Sequence, residues 1–265
     1  MNRIEKIFRN KKSHVLSIYF TAGFPGLEDT NTILLSLANN GADIVEIGMP
    51  YSDPLADGPV IQSSSSKALS NGMTIPKLFE QLKILHRSSP PLADKGLILM
   101  GYLNPVLQYG IEKFCEEAQH AGIDGLILPD LPMDEYEKEY KKLFKKHQLD
   151  FIFLITPETS EERIKKIDRL SKGFIYAVSS SSVTGIDKNL DAQQQYFERL
   201  ERMHLKNPLM VGFGIKDHHT FSQACAYTNG AIIGTAYIKA IENAADLNTE
   251  TNKFINSILN RNPVP

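Results

Sequence analysis

The segment Leu97–Leu128, LILMGYLNPVLQYGIEKFCEEAQHAGIDGLIL, contains one complete repeat of the fold. Its pattern predicts a strand over Leu97–Tyr102, an amphipathic helix over Ile111–His120 and a second strand over Gly125–Leu128. The first strand opens with Leu-Ile-Leu-Met, which is apolar on both faces and therefore suits a parallel sheet that is covered by helices. The segment thus predicts a strand–helix–strand unit with parallel strands.

Short apolar strands alternate with longer amphipathic helices along the rest of the chain. Repeated βα units leave two main architectures, an open doubly wound sheet and a closed barrel. Eight such units within 265 residues favour an α/β fold of the (β/α)8 TIM-barrel type with a short extra N-terminal helix, because such a barrel needs about 250 residues. The other predicted strands are Val15–Phe20, Asp43–Met49, Phe151–Thr156, Phe174–Val178, Leu209–Phe213 and Ala231–Ile233. The other predicted helices are Ile4–Asn10, Asp29–Asn39, Lys77–Arg87, Asp134–Lys146, Glu161–Leu170, Leu190–His204, Asp217–Tyr227, Ala236–Ala244 and Glu250–Leu259.

The composition is that of an ordinary globular protein, and no linker divides the chain, so we predict a single domain over residues 1–265. The net charge of −2 gives no reason to expect a nucleic acid or an anionic membrane as partner. The N-terminus lacks the apolar core of a signal peptide, and no run approaches the roughly 18 apolar residues of a membrane span. Two cysteines, Cys115 and Cys225, are compatible with free thiols in a reducing compartment. The chain is therefore expected in the cytoplasm.

One carboxylate lies inside a predicted strand. In the stretch Asp43-Ile-Val-Glu-Ile-Gly-Met-Pro, Glu46 shares one face of the strand with Ile44 and Gly48, because every second residue points to the same side. A carboxyl group on the inner face of a barrel is costly unless it is paired, hydrogen-bonded or protonated, and such burial raises its pKa. Glu46 is therefore a candidate general acid or base, and the alternative is a structural glutamate bonded to a neighbouring strand.

The loop Tyr51–Gln62 leaves this second strand at the end where barrels carry their active sites. Its prolines and its Asp-Gly pair indicate a loop, so Asp53 and Asp57 can reach the entrance of a site. The alternative for either aspartate is a role in a turn or a helix cap.

Glycine-containing loops follow the last three predicted strands, at Val183–Gly185, Val211–Ile215 and Gly234–Thr235. Barrel enzymes often bind phosphate with the loops after strands seven and eight and with the N-terminus of a short helix there. Glycine lets backbone N–H groups approach the phosphate oxygens. Each pair of glycines alone could merely end a strand, but their shared position predicts a phosphate site.

Taken together, these segments resemble the tryptophan synthase alpha chain family over essentially the whole length. The long segment EIGMPYSDPLADGPVIQ at residues 46–62 carries most of the resemblance. Five shorter matches agree in order and spacing: Tyr102–Pro105, Leu128–Pro132, Ser182–Gly185, Gly212–Ile215 and Gly234–Ala236.

The resemblance implies a lyase that cleaves indole-3-glycerol phosphate to indole and glyceraldehyde 3-phosphate by a retro-aldol step in tryptophan biosynthesis. It makes Glu46 the acid–base glutamate and Asp57 the second catalytic carboxylate. It also implies an α2β2 tetramer with a beta chain that holds pyridoxal phosphate, and it places Asp53 in the loop that contacts that chain. No cofactor, metal, nicotinamide or Schiff-base lysine is expected in this chain.

The same resemblance implies the remaining site residues. Thr184 belongs to a loop that closes over the substrate and contacts Asp57. The residues implied to line the substrate cavity are Tyr19, Tyr102, Tyr176, Thr184 and Phe213, and those implied to bind phosphate are Gly185, Gly214, Gly234 and Thr235.

The chain departs from the enterobacterial pattern at Ser182, Pro129 and Thr235, where glycine, alanine and serine are usual. Ser182 could alter the mobility of the closing loop, whereas the other two remove no backbone contact to phosphate. The alternative functions are a free-standing indole-releasing lyase, a related phosphate-binding barrel isomerase, and a subunit kept only to activate a beta chain.

Overall fold

The computed structural model describes residues 2–88, 90–179, 190–212 and 214–261, with the side chains of residues 86–88 and 190–193 excepted. The strands are short and almost entirely buried. This is typical of parallel strands that have helices on one face and a barrel interior on the other. The fifth strand consists of two segments that continue one run of chain. The strands are β1 Val15–Thr21, β2 Ile44–Gly48, β3 Gly96–Met100, β4 Gly125–Ile127, β5 Asp150–Phe151 and Leu154–Ile155, β6 Ile175–Val178, β7 Leu209–Gly212 and β8 Gly230–Ile233.

All strand pairs are parallel, and the sheet closes on itself. The first segment of β5 pairs with β4, Asp150 opposite Gly125, and its second segment pairs with β6, Leu154 opposite Tyr176. The circle closes where Val15 of β1 pairs with Gly230 of β8. The predicted TIM barrel is therefore confirmed, and the continuous strand predicted over Phe151–Thr156 is in fact divided between its two neighbours.

Helices follow the strands, and each begins and ends within a few residues of the predicted limits where a helix was predicted. Across the described ranges, no helix has the length and apolar character that a membrane crossing requires. Helix α7 contains a π-helical turn, Tyr136–Tyr140, between Met133–Glu135 and Lys141–Lys146. The others are α1 Arg3–Asn10, α2 Asp29–Asn40, α3 Pro59–Ser70, α4 Ile75–Ser88, α5 Leu103–Tyr109, α6 Ile111–His120, α8 Glu161–Leu170, α9 Leu190–Arg202, α10 His218–Tyr227, α11 Thr235–Ile241 and α12 Leu247–Leu259.

Helices α3 and α5 were not predicted, because proline and glycine suggest loops. In α3, Pro59 is the first helical residue, where the missing N–H of proline is not needed. The serine run Ser63–Ser66 lies inside this helix. The strand predicted to reach Tyr102 ends at Met100 instead, and Tyr102 is the residue before α5.

Apolar side chains fill the interior of the barrel, and helix α1 closes its N-terminal end. Ile4 of α1 is fully buried, and it approaches Gly96 so closely that a Cβ atom there would lie 3.1 Å from Ile4. The opposite, C-terminal end is the one left for polar groups. The apolar filling consists of Ile4, Ile7, Phe8, Val15, Ile44, Ile98, Ile127, Ile152, Phe174, Tyr176, Met210 and Ile232.

One ion pair fixes helix α1 to the barrel. The Arg3 guanidinium donates to both carboxylate oxygens of Asp124, at 3.0 and 2.9 Å, and also to the backbone oxygens of Leu92 and Gly122. Asp124 is 7% exposed and accepts a further bond from the N–H of Leu97 at 2.8 Å. Removing the arginine would leave a buried carboxylate without its cation.

We therefore expect Arg3→Ala to lower the free energy of unfolding by about 3 kcal/mol at pH 7, since breaking a buried pair is strongly destabilising. The measurement is chemical denaturation. Lys6→Ala is the matched control on the same helix, because Lys6 pairs with exposed Asp94 and its loss should leave stability nearly unchanged. Equal effects of the two variants would contradict this role of Arg3.

Candidate active site

A cavity of about 510 Å³ opens at the C-terminal end of the strands, within the size range of small-molecule sites. Its apolar part comes from Met100 of β3, Ile232 of β8 and the first turn of α3. The rest of its lining comes from β1, β6, helix α11 and the loops after β2, β7 and β8. The polar and aromatic lining residues are Tyr19, Asp57, Tyr176, Gly214, Lys216, Gly234, Thr235 and Lys239.

Glu46 lies in the middle of β2 with no exposed surface, directly opposite Tyr19 in the β1–β2 register. The hydroxyl group of Ser17 donates to Glu46 Oε1 at 2.8 Å. Among the residues that the structure describes, Oε2 has no hydrogen-bond partner. Burial raises the pKa of Glu46 to about 7, and the bond from Ser17 acts in the opposite direction. Both the acid and the base form of Glu46 are therefore populated near neutral pH, which suits general acid–base chemistry.

Glu46 is not among the described residues that line the cavity; it lies next to Tyr19 and Tyr176, which are. Glycines make room for both rings, because a Cβ atom on Gly48 would lie 2.2 Å from Tyr19 Oη and one on Gly212 would lie 2.1 Å from Tyr176 Oη. Burial, with nearby negative charge, raises the pKa of both phenols far above neutral. Both rings are therefore neutral near pH 7, and they are the cavity-lining side chains that lie next to Glu46.

Asp57 lines the cavity from the loop after β2. The hydroxyl group of Tyr102 donates to Asp57 Oδ2 at 2.8 Å and accepts from the backbone N–H of Ala56 at 2.9 Å. Burial raises the pKa of Asp57, and the bond from Tyr102 opposes that change. Tyr102 itself lines a smaller recess beside the cavity, which also contains Tyr19 and Asp57. Tyr102 therefore holds one oxygen of Asp57, and no hydrogen bond to the other oxygen is seen from the described residues.

Asp53 has a different environment in the same loop. It is exposed and accepts a hydrogen bond from the hydroxyl group of Ser52. Its neighbour Leu55 is 94% exposed. The structure therefore separates the two aspartates of this loop, with Asp57 at the cavity and Asp53 on the outside.

The predicted phosphate residues Gly214, Gly234 and Thr235 all line the cavity. Gly214 has a φ of +77°, a conformation that glycine adopts without strain. Gly234 precedes α11 and Thr235 is its first residue, so the first N–H groups of that helix have no intrahelical acceptor. The predicted residues Thr184, Gly185 and Phe213 lie outside the described residues.

Three residues near the site were not predicted: Ser17, Lys216 and Lys239. Lys239 follows Thr235 by four positions and therefore shares its helix face, a signal that was present in the sequence. Lys216 follows Gly214 by two residues. Ser17 and Tyr19 share the inner face of β1, because they are two residues apart. Only the register of the strands shows that Ser17 meets Glu46.

The raised pKa of Glu46 predicts how stability depends on pH. Its contribution is fully present below its ordinary value of 4.5 and is lost as the pH rises through about 7, because ionisation is then disfavoured in the folded protein. At pH 8, Glu46→Gln should therefore be more stable than the wild type by about 3 kcal/mol, with the difference vanishing near pH 4. Chemical denaturation between pH 4 and 8 measures this difference in the free energy of unfolding. The contributions of all other titratable groups cancel, because the variant and the wild type share them. Glu116→Gln, at an exposed position of α6, is the control. A difference between Glu46→Gln and the wild type that stays constant with pH would contradict the assignment.

Comparison with known proteins identifies relatives over nearly the whole chain. A sequence model of the family described as tryptophan synthase alpha chain matches residues 6–261. The tryptophan synthase alpha chain of Flavobacterium psychrophilum is 53% identical over 261 residues, which is 97% of this chain and 100% of that protein. Its counterpart from Christiangramia forsetii is 56% identical over 243 residues, 91% of this chain and 93% of that protein.

Solved structures of tryptophan synthase chains also resemble this chain. The tryptophan synthase alpha chain from Legionella pneumophila subsp. pneumophila superposes with a TM-score of 0.86 at 34% identity, over 97% of this chain and 96% of that one. A chain of tryptophan synthase from M. tuberculosis, in its aminoacrylate-bound form, superposes with a TM-score of 0.84 at 28% identity, over 97% and 98% of the two chains.

Proposed function

Because the chain belongs to the tryptophan synthase alpha chain family, we propose that it is the lyase that cleaves indole-3-glycerol phosphate to indole and glyceraldehyde 3-phosphate. The observation that carries this proposal is a pair of unlike carboxyl groups: Asp57 lines the cavity, and Glu46 lies next to Tyr19 and Tyr176, which also line it. Glu46 is fully buried with a pKa of about 7, and Asp57 is partly exposed and held by Tyr102. Environments that differ in this way suit two different roles in one reaction.

The first role is proton transfer at the carbon that leaves. Indole leaves poorly as a carbanion, so C3 of the ring must be protonated, which gives an indolenium cation that accepts the electrons of the breaking C–C bond. The hydroxyl group on the adjacent glycerol carbon then loses its proton as the aldehyde forms. We assign both transfers to Glu46, whose Oε2 is without a partner among the described residues.

The second role is stabilisation of the charge that develops on the ring. Protonation at C3 places positive charge at the indole nitrogen, so a carboxylate that accepts the ring N–H lowers the energy of the intermediate. We assign that carboxylate to Asp57, with Oδ1 facing the ring and Oδ2 held by the hydroxyl group of Tyr102. An aspartate already held in place reorganises little during the reaction.

The substrate phosphate is assigned to the loops after β7 and β8. Gly214, Gly234 and Thr235 offer backbone N–H groups at the cavity wall, and Lys216 and Lys239 add positive charge to the same wall. A dianionic group is favoured by both features. Gly185 of the undescribed segment remains a proposed member of this site.

A beta chain is the proposed partner, in an α2β2 tetramer, and the pyridoxal phosphate of the complete reaction is assigned to that chain. The M. tuberculosis neighbour is a chain of tryptophan synthase, which supports such an assembly. Asp53 and Leu55 are exposed on the loop that carries Asp57, so contact with a partner there reaches the active site directly. Thr184 is proposed to belong to a loop that closes over the substrate.

The test of this function is indole release from indole-3-glycerol phosphate by the purified chain, with and without a tryptophan synthase beta chain. We expect indole and glyceraldehyde 3-phosphate in equal amounts, slowly from the chain alone and much faster with the partner. Fast release without a partner would indicate a free-standing lyase. No indole under either condition would refute the proposed reaction.

A further inference from the structure

The hydroxyl group of Ser17 lies in a part of the barrel that is otherwise apolar. Ser17 has no exposed surface and pairs in register with Ile44. This pair lies two residues closer to the N-terminal end of the barrel than the pair of Tyr19 and Glu46. The side chains that fill the interior beside it include Val15, Ile44 and Ile232. A buried hydroxyl group is costly there unless it is bonded, and its bond is the one to Glu46 Oε1 at 2.8 Å.

We propose that Ser17 is a positioning residue for Glu46: its hydroxyl group holds Oε1, which fixes the orientation of the carboxyl group and leaves Oε2 as the oxygen that exchanges protons with the substrate. This inference rests on the proposed acid–base role of Glu46. Ser17 is not one of the described residues that line the main cavity, so we assign it an action through the glutamate.

Ser17 also influences when Glu46 ionises. A hydroxyl group that donates to a carboxylate stabilises the charged form, whereas burial destabilises it, so the two effects oppose each other at Glu46. The titratable groups facing Glu46 are Tyr19 from β1 and Tyr176 from β6, with Asp57 beyond them from the loop after β2. Both phenols stay neutral near pH 7, and the neighbouring strand β3 contributes apolar side chains. Within the part of the chain that the structure describes, the Ser17 bond therefore favours the ionised form of Glu46 against the effect of burial.

The test uses Ser17→Ala, which removes the hydroxyl group, and Ser17→Thr, which keeps it. The primary measurement is the ¹³C NMR titration of the Glu46 side-chain carboxyl in the substrate-free protein, with Glu46→Gln identifying the resonance. We expect the midpoint to rise by about one pH unit in Ser17→Ala and to stay near the wild-type value in Ser17→Thr. We also expect kcat to fall about tenfold in Ser17→Ala while KM changes less than about twofold, because Ser17 does not line the cavity.

Thr251→Val is the matched control, because it removes another buried hydroxyl contact, the 2.7 Å bond between Thr251 and Tyr237, away from the site. Its Glu46 midpoint should equal that of the wild type. An unchanged midpoint in Ser17→Ala, or an equal shift in Thr251→Val, would overturn the proposal. Because the titration needs no substrate, these outcomes are distinct from failure of the wild type to form indole, which would overturn the proposed function instead.

Discussion

Glu46→Gln is expected to lower kcat for indole release by about 10³-fold, because the amide can neither protonate C3 of the indole nor accept the glycerol proton. The value of KM should change only a few-fold, since Glu46 is not among the described residues that line the cavity. Glutamine has nearly the same shape as protonated glutamic acid and can still accept the hydrogen bond from Ser17. The variant therefore separates loss of proton transfer from loss of structure.

The measurement is steady-state indole release with a beta chain present, so that the full activity of the wild type is available for comparison. Glu116→Gln is the control for the same chemical change on an exposed helix, and it should retain wild-type kcat. A Glu46→Gln variant that keeps more than a tenth of wild-type kcat would exclude Glu46 as the proton-transfer group.

Asp57→Asn is expected to lower kcat by about 10²-fold, a smaller loss than at Glu46. The asparagine oxygen can still accept the ring N–H, but the negative charge that stabilises the cationic ring is gone. Because Asp57 lines the cavity, KM should also rise several-fold. Asp57 therefore differs from Glu46 in affecting both kinetic constants.

The same indole assay measures both constants for Asp57→Asn, and Asp94→Asn, at an exposed position beside α1, is its control. Wild-type kcat in Asp57→Asn would show that charge at this position is not used. A rise in KM alone would restrict Asp57 to substrate binding.

The fold was largely predictable from the sequence because parallel strands leave a strong local signal. Runs such as Leu97–Met100 are apolar on both faces, and their alternation with helices fixed both the architecture and the position of Glu46. Helices α3 and α5 were missed because Pro59 and Pro105 suggest loops, yet proline is well tolerated in the first turn of a helix. The division of β5 depends on the geometry of barrel closure, and that geometry cannot be predicted from a local sequence pattern.

The site was predictable where a residue occurs in a strand end or a recognised motif, and less so where two distant segments meet. Glu46, Asp57, Gly214, Gly234 and Thr235 were all named from the sequence, and their roles remain proposals. The contact from Ser17 joins residues that are 29 positions apart, and the bond from Tyr102 to Asp57 spans 45. Such pairs follow from strand register and loop conformation rather than from spacing.

The most direct measurement is a crystal structure of the chain with indole-3-propanol phosphate, which lacks the glycerol hydroxyl groups and therefore cannot be cleaved. The account predicts the ring N–H within about 3 Å of the Asp57 carboxylate, a Glu46 oxygen against C3, and the phosphate on the backbone N–H groups of Gly234 and Thr235. A ring whose C3 faces away from Glu46, or a phosphate bound elsewhere, would contradict it.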